Sequence, residues 1–132
     1  DFNTSGYFSS RPSEVSYNPL PSGGSNLGPT SKKLMDQVEN RKEEFIRLNK
    51  IGQNTSIPPE MLFASASGLD PHISAGAALL QVNRISETRR LTFKQKQKLI
   101  SLILEHTEPP QLGIFGEERI NVLLLNLDLD KI

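Results

Sequence analysis

The chain has 132 residues, room for one modest domain, and its 36% hydrophobic and 6% aromatic content makes for a lean core. Fifteen Lys and Arg balance fifteen Asp and Glu, and zero net charge argues against broad attraction to nucleic acid or an anionic membrane, though not against a local patch. There is no cysteine, which removes disulfides, thiolate catalysis and cysteine-ligated zinc, and two histidines, His72 and His106, are too few for a histidine-rich metal site. No run approaches the roughly 20 apolar residues that span a bilayer. The polar start, Asp1-Phe2-Asn3-Thr4, has no basic signal-peptide region and reads as the middle of a longer protein.

Residues 1–30 are rich in Ser, Gly, Pro and Asn, a loop composition, yet Tyr7, Phe8, Val15, Tyr17 and Leu20 are spread through them. Such aromatics pin a loop onto a domain surface, and Tyr7-Phe8 is a candidate short strand. The stretch from Ser22 to Pro29 has enough glycine to cradle an anion through backbone N–H groups. It lacks the lysine and following Ser/Thr of a P-loop, so a turn into a helix is the simpler reading. That helix is predicted from about Thr30 to Leu48, with Leu34, Val38, Phe45 and Leu48 at helical spacing. Its charges mix signs, basic residues interleaved with acids, which suits a solvated face better than a phosphate backbone. After a loop over 52–56, Ile57-Pro58-Pro59-Glu60 predicts a short helix with prolines in its first turn.

The next stretch, Ala64 to Arg84, has the sharpest start signal in the chain. Asp70 is a good N-cap and Pro71 suits the first helical position, so a helix is predicted from about Pro71 to Ser86. It is apolar on most sides, which implies burial. Gln81 and Arg84, at i and i+3, are then enclosed and need partners: neighbouring loops if they hold the fold, or a ligand or subunit if they form a site. Thr92-Phe93-Lys94-Gln95 has capping-box form and begins a helix to about His106, its apolar side built from Phe93, Leu99, Ile100, Leu102, Ile103 and Leu104. Pro109-Pro110 ends it. The segment from Leu112 to Gly116 is a candidate strand and turn. Leu123, Leu125, Leu127 and Leu129 alternate with Leu124, Asn126, Asp128 and Asp130, a period of two that predicts a half-buried strand. The expected fold is a helix-rich α+β single domain with two or three short strands, divided into an extended segment over 1–30, packed on the domain, and a compact unit over 31–132.

No catalytic site emerges. Ser67, Asp70 and His72 are all present, but close sequence neighbours seldom align as nucleophile, base and orienter, and no Gly-x-Ser-x-Gly elbow occurs. Asp70 is accounted for as a cap, while His72 and Ser74 read as structural or interface groups. His106 reads as a helix-end residue with a favourable dipole position when charged. Asp128 and Asp130 have no further metal ligands beside them, so no metal is expected.

Several ordered blocks nevertheless carry a resemblance. Tyr7-Phe8, Arg11-Pro12-Ser13, Tyr17-Asn18-Pro19 and Ser22 to Thr30 come first. The most specific are Ala66-Ser67-Gly68-Leu69-Asp70-Pro71-His72-Ile73-Ser74 and Gln81-Val82-Asn83-Arg84. His106-Thr107-Glu108, Gly113, Gly116, Arg119, Asn121-Val122 and Leu125-Asn126 complete the order. Together they resemble the C subunit of the Kdp-type potassium-transporting ATPase of bacteria along nearly all of the chain. The family commonly has proline at the place of Ala75, glycine at Arg90 and often glutamate at Leu124.

The resemblance implies a subunit without chemistry of its own, in a complex that joins a potassium-channel-like subunit to a P-type ATPase subunit. It implies the bacterial inner membrane, a single-pass anchor ahead of residue 1, and an extracytoplasmic domain over the outer mouth of the channel-like subunit. It also implies an alternative role, a regulatory module that raises the ATP affinity of the ATPase subunit, with nucleotide contacts at Gln81, Val82 and Arg84. No firmly bound cofactor is expected; ATP would act through the complex. The surroundings of Gln81 and Arg84 separate the two roles: bonded to loops and enclosed suits the interaction subunit, open onto a pocket suits the nucleotide module.

Overall fold

The computed structural model describes residues 4–12, 31–64, 70–110 and 118–132. The readings placed on Ser22 to Pro29, Ser67, Gly68 and Leu112 to Gly116 lie outside them. Over the described residues the architecture is the expected one, helices with a small antiparallel sheet. Helix α1 (Lys32–Asn49) starts at the Ser31 hydroxyl, which accepts from the Leu34 N–H. A 3₁₀ turn at Pro59–Met61 follows, with proline in its first turn. Strand β1 (His72–Ile73) leads to α2 (Ala75–Leu79) and α3 (Val82–Arg89). Helix α4 (Phe93–His106) begins with the expected reciprocal capping box between Thr92 and Gln95. Strand β2 (Ile120–Asn121) runs directly into α5 (Val122–Leu129).

The sequence expectation fails in four places, the last of them at Tyr7-Phe8. The predicted helix from Pro71 to Ser86 is three elements. The Asp70 carboxylate accepts from the His72 N–H at 2.9 Å, two residues on, an Asx-type turn rather than a helix cap. His72 and Ile73 then pair antiparallel with Asn121 and Ile120, and the Pro71 carbonyl accepts from the Val122 N–H. The true cap is Ser74, whose hydroxyl accepts from the Ala77 N–H at 3.1 Å. Helix α2 tightens at its end, where the Gln81 N–H bonds to the Ala78 carbonyl, and Gln81 becomes the first residue of a new start.

The second failure is the predicted strand over the terminal leucines, which is helix α5. Its buried residues are Val122, Leu125, Asn126 and Leu129, spaced three, four and seven apart, a helical pattern. The leucine run satisfied a period of two only because leucines stand on the exposed side too: Leu123, Leu124 and Leu127 are each about half exposed. The Asn121 side chain caps α5 by accepting from the Leu123 and Leu124 N–H groups. The third failure concerns α4, where Phe93 and Leu104 point outward while Leu99 and Ile103 are fully buried.

Helix α4 is the centre of the packing, against α5, α2, α3 and β2, while α1 lies on α3 and the 3₁₀ turn. The core gathers Phe45, Ile46, Ile57, Met61, Ile73, Ile85, Leu99, Ile103, Ile120, Leu125 and Leu129, and it also takes Phe8 from the N-terminal segment. Residues 4–12 have no regular secondary structure, and Tyr7-Phe8 forms no strand.

Candidate functional site

Two buried amide side chains, Gln81 and Asn126, and two guanidinium groups, Arg84 and Arg89, bond to the N-terminal segment. Gln81, at the α2–α3 junction, is fully buried. Its Oε1 accepts from the Ser9 N–H at 2.8 Å and from Arg84 Nη2 at 2.8 Å. Its Nε2 donates to the Ser9 carbonyl at 3.2 Å and to the Ala77 carbonyl at 3.3 Å. A carboxamide has two acceptor sites and two donors, so Gln81 is saturated. Asn126, fully buried on α5, treats the preceding residue in the same way. Its Oδ1 accepts from the Phe8 N–H at 2.9 Å and its Nδ2 donates to the Phe8 carbonyl at 3.1 Å.

Arg84 sits one turn beyond Gln81 and is 8% exposed. Its Nε donates to Asn49 Oδ1 at 2.9 Å, and its Nη1 donates to the Ser5 carbonyl. Asn49 is itself held by its Nδ2 bond to the Phe45 carbonyl on α1. Burial pushes the Arg84 pKa below its ordinary value, since a desolvated cation is disfavoured. Among the described residues no carboxylate lies within ion-pair distance of it, so its charge is met by neutral oxygens. Val82, between these two, is 4% exposed and belongs to the apolar core.

The outer wall is an ionic cluster. Arg89 donates to the Gly6 carbonyl at 2.7 Å and to Asp130 at 2.9 Å, and stacks over the Tyr7 ring at 4.7 Å. The Tyr7 hydroxyl donates to Asp130 at 2.8 Å. Bonds from Arg89 and Tyr7 hold the Asp130 carboxyl below the usual carboxylate range. Asp128 is held low in the same way, first by His106 at 2.7 Å and then by Lys131. Both acids are thus engaged in ion pairs rather than open to a cation. Among the described residues no three His, Asp or Glu side chains converge as metal ligands.

A cleft of about 570 Å³ opens between α1 and the N-terminal segment. Arg41, Glu44 and Leu48 of α1 face Ser9 and Ser10 across it, and Gln81 and Arg84 form part of its lining. The structure therefore brings Gln81 and Arg84 together, both bonded to the N-terminal segment and both bordering a cleft, and it leaves Val82 out.

The residues around Asp70 form a separate group. His72 Nδ1 lies 3.1 Å from Asp70, Arg11 Nη1 lies 3.4 Å from it, and Glu60 accepts from the Ser74 N–H at 2.8 Å. Burial pushes the Asp70 carboxyl up, but the backbone and ring bonds of His72 and the Arg11 charge outweigh it and leave the pKa lowered. Asp70, His72 and Ser74 are local bracing for β1 and α2. Sequence reasoning missed Asn126, Asn49 and Arg89. An asparagine on the buried face of a leucine helix is the one signal that marked Asn126, and a strand assignment turned it to the wrong face.

Comparison with known proteins adds a family. The family model for KdpC, described as the K+-transporting ATPase c chain, matches residues 1–131. The chain is 47% identical over 126 residues to the potassium-transporting ATPase KdpC subunit of Shewanella putrefaciens, covering 96% of this chain and 61% of that protein. It is 46% identical over 132 residues to the KdpC subunit of Nitratidesulfovibrio vulgaris, covering 98% and 65%. With the KdpC subunit of Leptospira interrogans it shares 48% over 124 residues, covering 94% and 61%. The chain spans a little under two thirds of the length of these relatives.

Proposed function

The chain belongs to the KdpC family of K+-transporting ATPase c chains, and from that premise we propose that it is a non-catalytic subunit of an ATP-driven potassium import complex. In this reading it assembles with the channel-like subunit, caps its outer mouth from the extracytoplasmic side of the bacterial inner membrane, and supports the P-type ATPase subunit. The observation that carries the reading is the saturation of Gln81. All four of its hydrogen-bonding positions are taken by Ser9, Ala77 and Arg84, so it works as a structural tie. A side chain with no free donor or acceptor has nothing to offer a base or a phosphate.

One observation favours a second reading, the regulatory module that binds nucleotide. Arg84 is a buried cation with no carboxylate at ion-pair distance among the described residues, and it borders the cleft of about 570 Å³, so an anion reaching it would supply a counter-charge. Val82 contributes nothing to that reading, because it packs in the core.

Calorimetric titration with ATP at moderate salt separates the two. The interaction-subunit reading expects no heat above dilution up to millimolar ATP. Saturable binding by the native chain that folded Gln81→Ala and Arg84→Ala variants lose would overturn it. The assembly half of the reading is checked by co-purification of the full-length subunit with the channel-like subunit, and failure to co-purify would sink it.

A further inference from the structure

Between Thr88 and Leu104 the chain carries Arg89, Arg90, Lys94, Lys96 and Lys98 and no acid, in a molecule of zero net charge. Two of these cations are engaged within the fold, Arg89 with Asp130 and Lys96 with Asn83. Arg90, Lys94 and Lys98 stand exposed, and none of them makes an ion pair with a described residue. Lys94 and Lys98 are four residues apart and share one face of α4. Phe93 and Gln97 form the adjacent row, which Leu104 continues seven residues on. All five side chains are exposed, and Phe93, at 78%, is the most exposed large apolar residue described.

The domain gains little from this arrangement for itself. Helix α4 has no acidic residue in its first turn, and cations near a helix N-terminus oppose its dipole. A phenyl ring left in water contributes no burial. Like charges without counter-charges, beside an exposed aromatic ring, suit another molecule instead.

We propose that the outward face of α4 formed by Phe93, Lys94, Gln97 and Lys98 docks this chain onto an acidic surface of the channel-like subunit of its complex. Charge argues for that occupant. A subunit that collects a cation lines its approach with negative charge, and two unpaired lysines on one helix face are the complement of such a surface. The lysines steer the encounter and set its register, while Phe93, desolvated against the partner, is the anchor. The cleft beside Gln81 and Arg84 is lined by no residue of α4, so the docking face is separate from it. The inference rests on the reading of the chain as an assembling subunit and names the face by which it assembles.

The test uses the full-length subunit co-expressed with the rest of the complex, with a photo-crosslinking amino acid in place of Gln97. The complex is purified through a tag on the channel-like subunit and then irradiated. We expect a cross-link to the channel-like subunit whose yield falls as salt rises. Adding Lys94→Glu together with Lys98→Glu is expected to lower that yield at least about tenfold. The double variant places acids in the first turns of α4, so its melting temperature is expected to be unchanged or higher, which separates lost docking from lost folding. A complex that co-purifies without this cross-link, or with one that the charge reversal leaves unchanged, overturns the face while the assembly reading stands. A cross-link to phospholipid instead overturns the protein partner and assigns the face to an anionic lipid surface. A native subunit that fails to co-purify overturns the assembly reading and this inference with it.

Discussion

At Gln81 a single amide joins three parts of the molecule: the N-terminal segment through Ser9, helix α2 through Ala77, and the guanidinium of Arg84. Truncating it leaves buried donors and acceptors without partners, which costs more than the bonds themselves are worth. Gln81→Ala is expected to lower stability by about 2–3 kcal/mol in urea unfolding. An exposed polar truncation such as Gln53→Ala is expected to change it by less than about 0.5 kcal/mol. The paired acids set the acid limb of stability. Asp128, Asp130 and Asp70 all have folded pKa values below the ordinary carboxylate value near about 4. The unfolded chain therefore binds more protons in that range. Their contribution is present above the ordinary value and is lost as pH falls through the folded values beneath it. Asp128→Asn and Asp130→Asn should each flatten the fall of melting temperature below about pH 4. An unchanged slope in both would show that the ion pairs contribute nothing to folding.

At the level of elements, two helices end on residues that the backbone does not favour. Lys50 after α1 and Arg90 after α3 both adopt left-handed conformations, with φ of 54° and 55°. Glycine is the residue that closes such a terminus without steric cost. It is also the residue expected at the place of Arg90 from the family resemblance. Arg90→Gly is expected to stabilise the chain by about 0.5–1 kcal/mol, read as a rise in the urea midpoint. Helix α5 is short and begins immediately after a strand, so its cap matters. Asn121→Ala should cost about 1 kcal/mol, because the Asn121 side chain accepts from both the Leu123 and Leu124 N–H groups. The same helix shows why pattern reading misled. Leucine is a strong helix former with no β-branch, and a run with leucine on every side fits a period of two as well as one of 3.6. Which leucines are buried was decided by packing on α4.

Across the whole molecule, the N-terminal segment is part of the core although it has no regular structure. Its Phe8 ring is buried with the residues of α4 and α5, and its backbone is bonded to side chains 72 and 118 residues away. Amides held in this way open only when the segment detaches. Native-state hydrogen exchange should give Phe8 and Ser9 amide protection comparable to that of Leu99 and Ile103. Protection typical of an exposed loop would show that the segment is not part of the cooperative unit.

The helix-rich α+β class, the helices Lys32–Asn49 and Phe93–His106 and the enclosure of Gln81 and Arg84 were legible in the chain. Each rests on local rules: a capping hydroxyl, a 3.6-residue period, or a polar residue on an apolar helix. Tertiary structure decided the rest. Asp70 could cap a helix or brace a turn, and strand β2 chose the turn by pairing with His72 and Ile73. Asn126 and Arg89 became site residues only when residues 4–12 came to rest against them, a contact between distant parts of the chain that no spacing along it encodes.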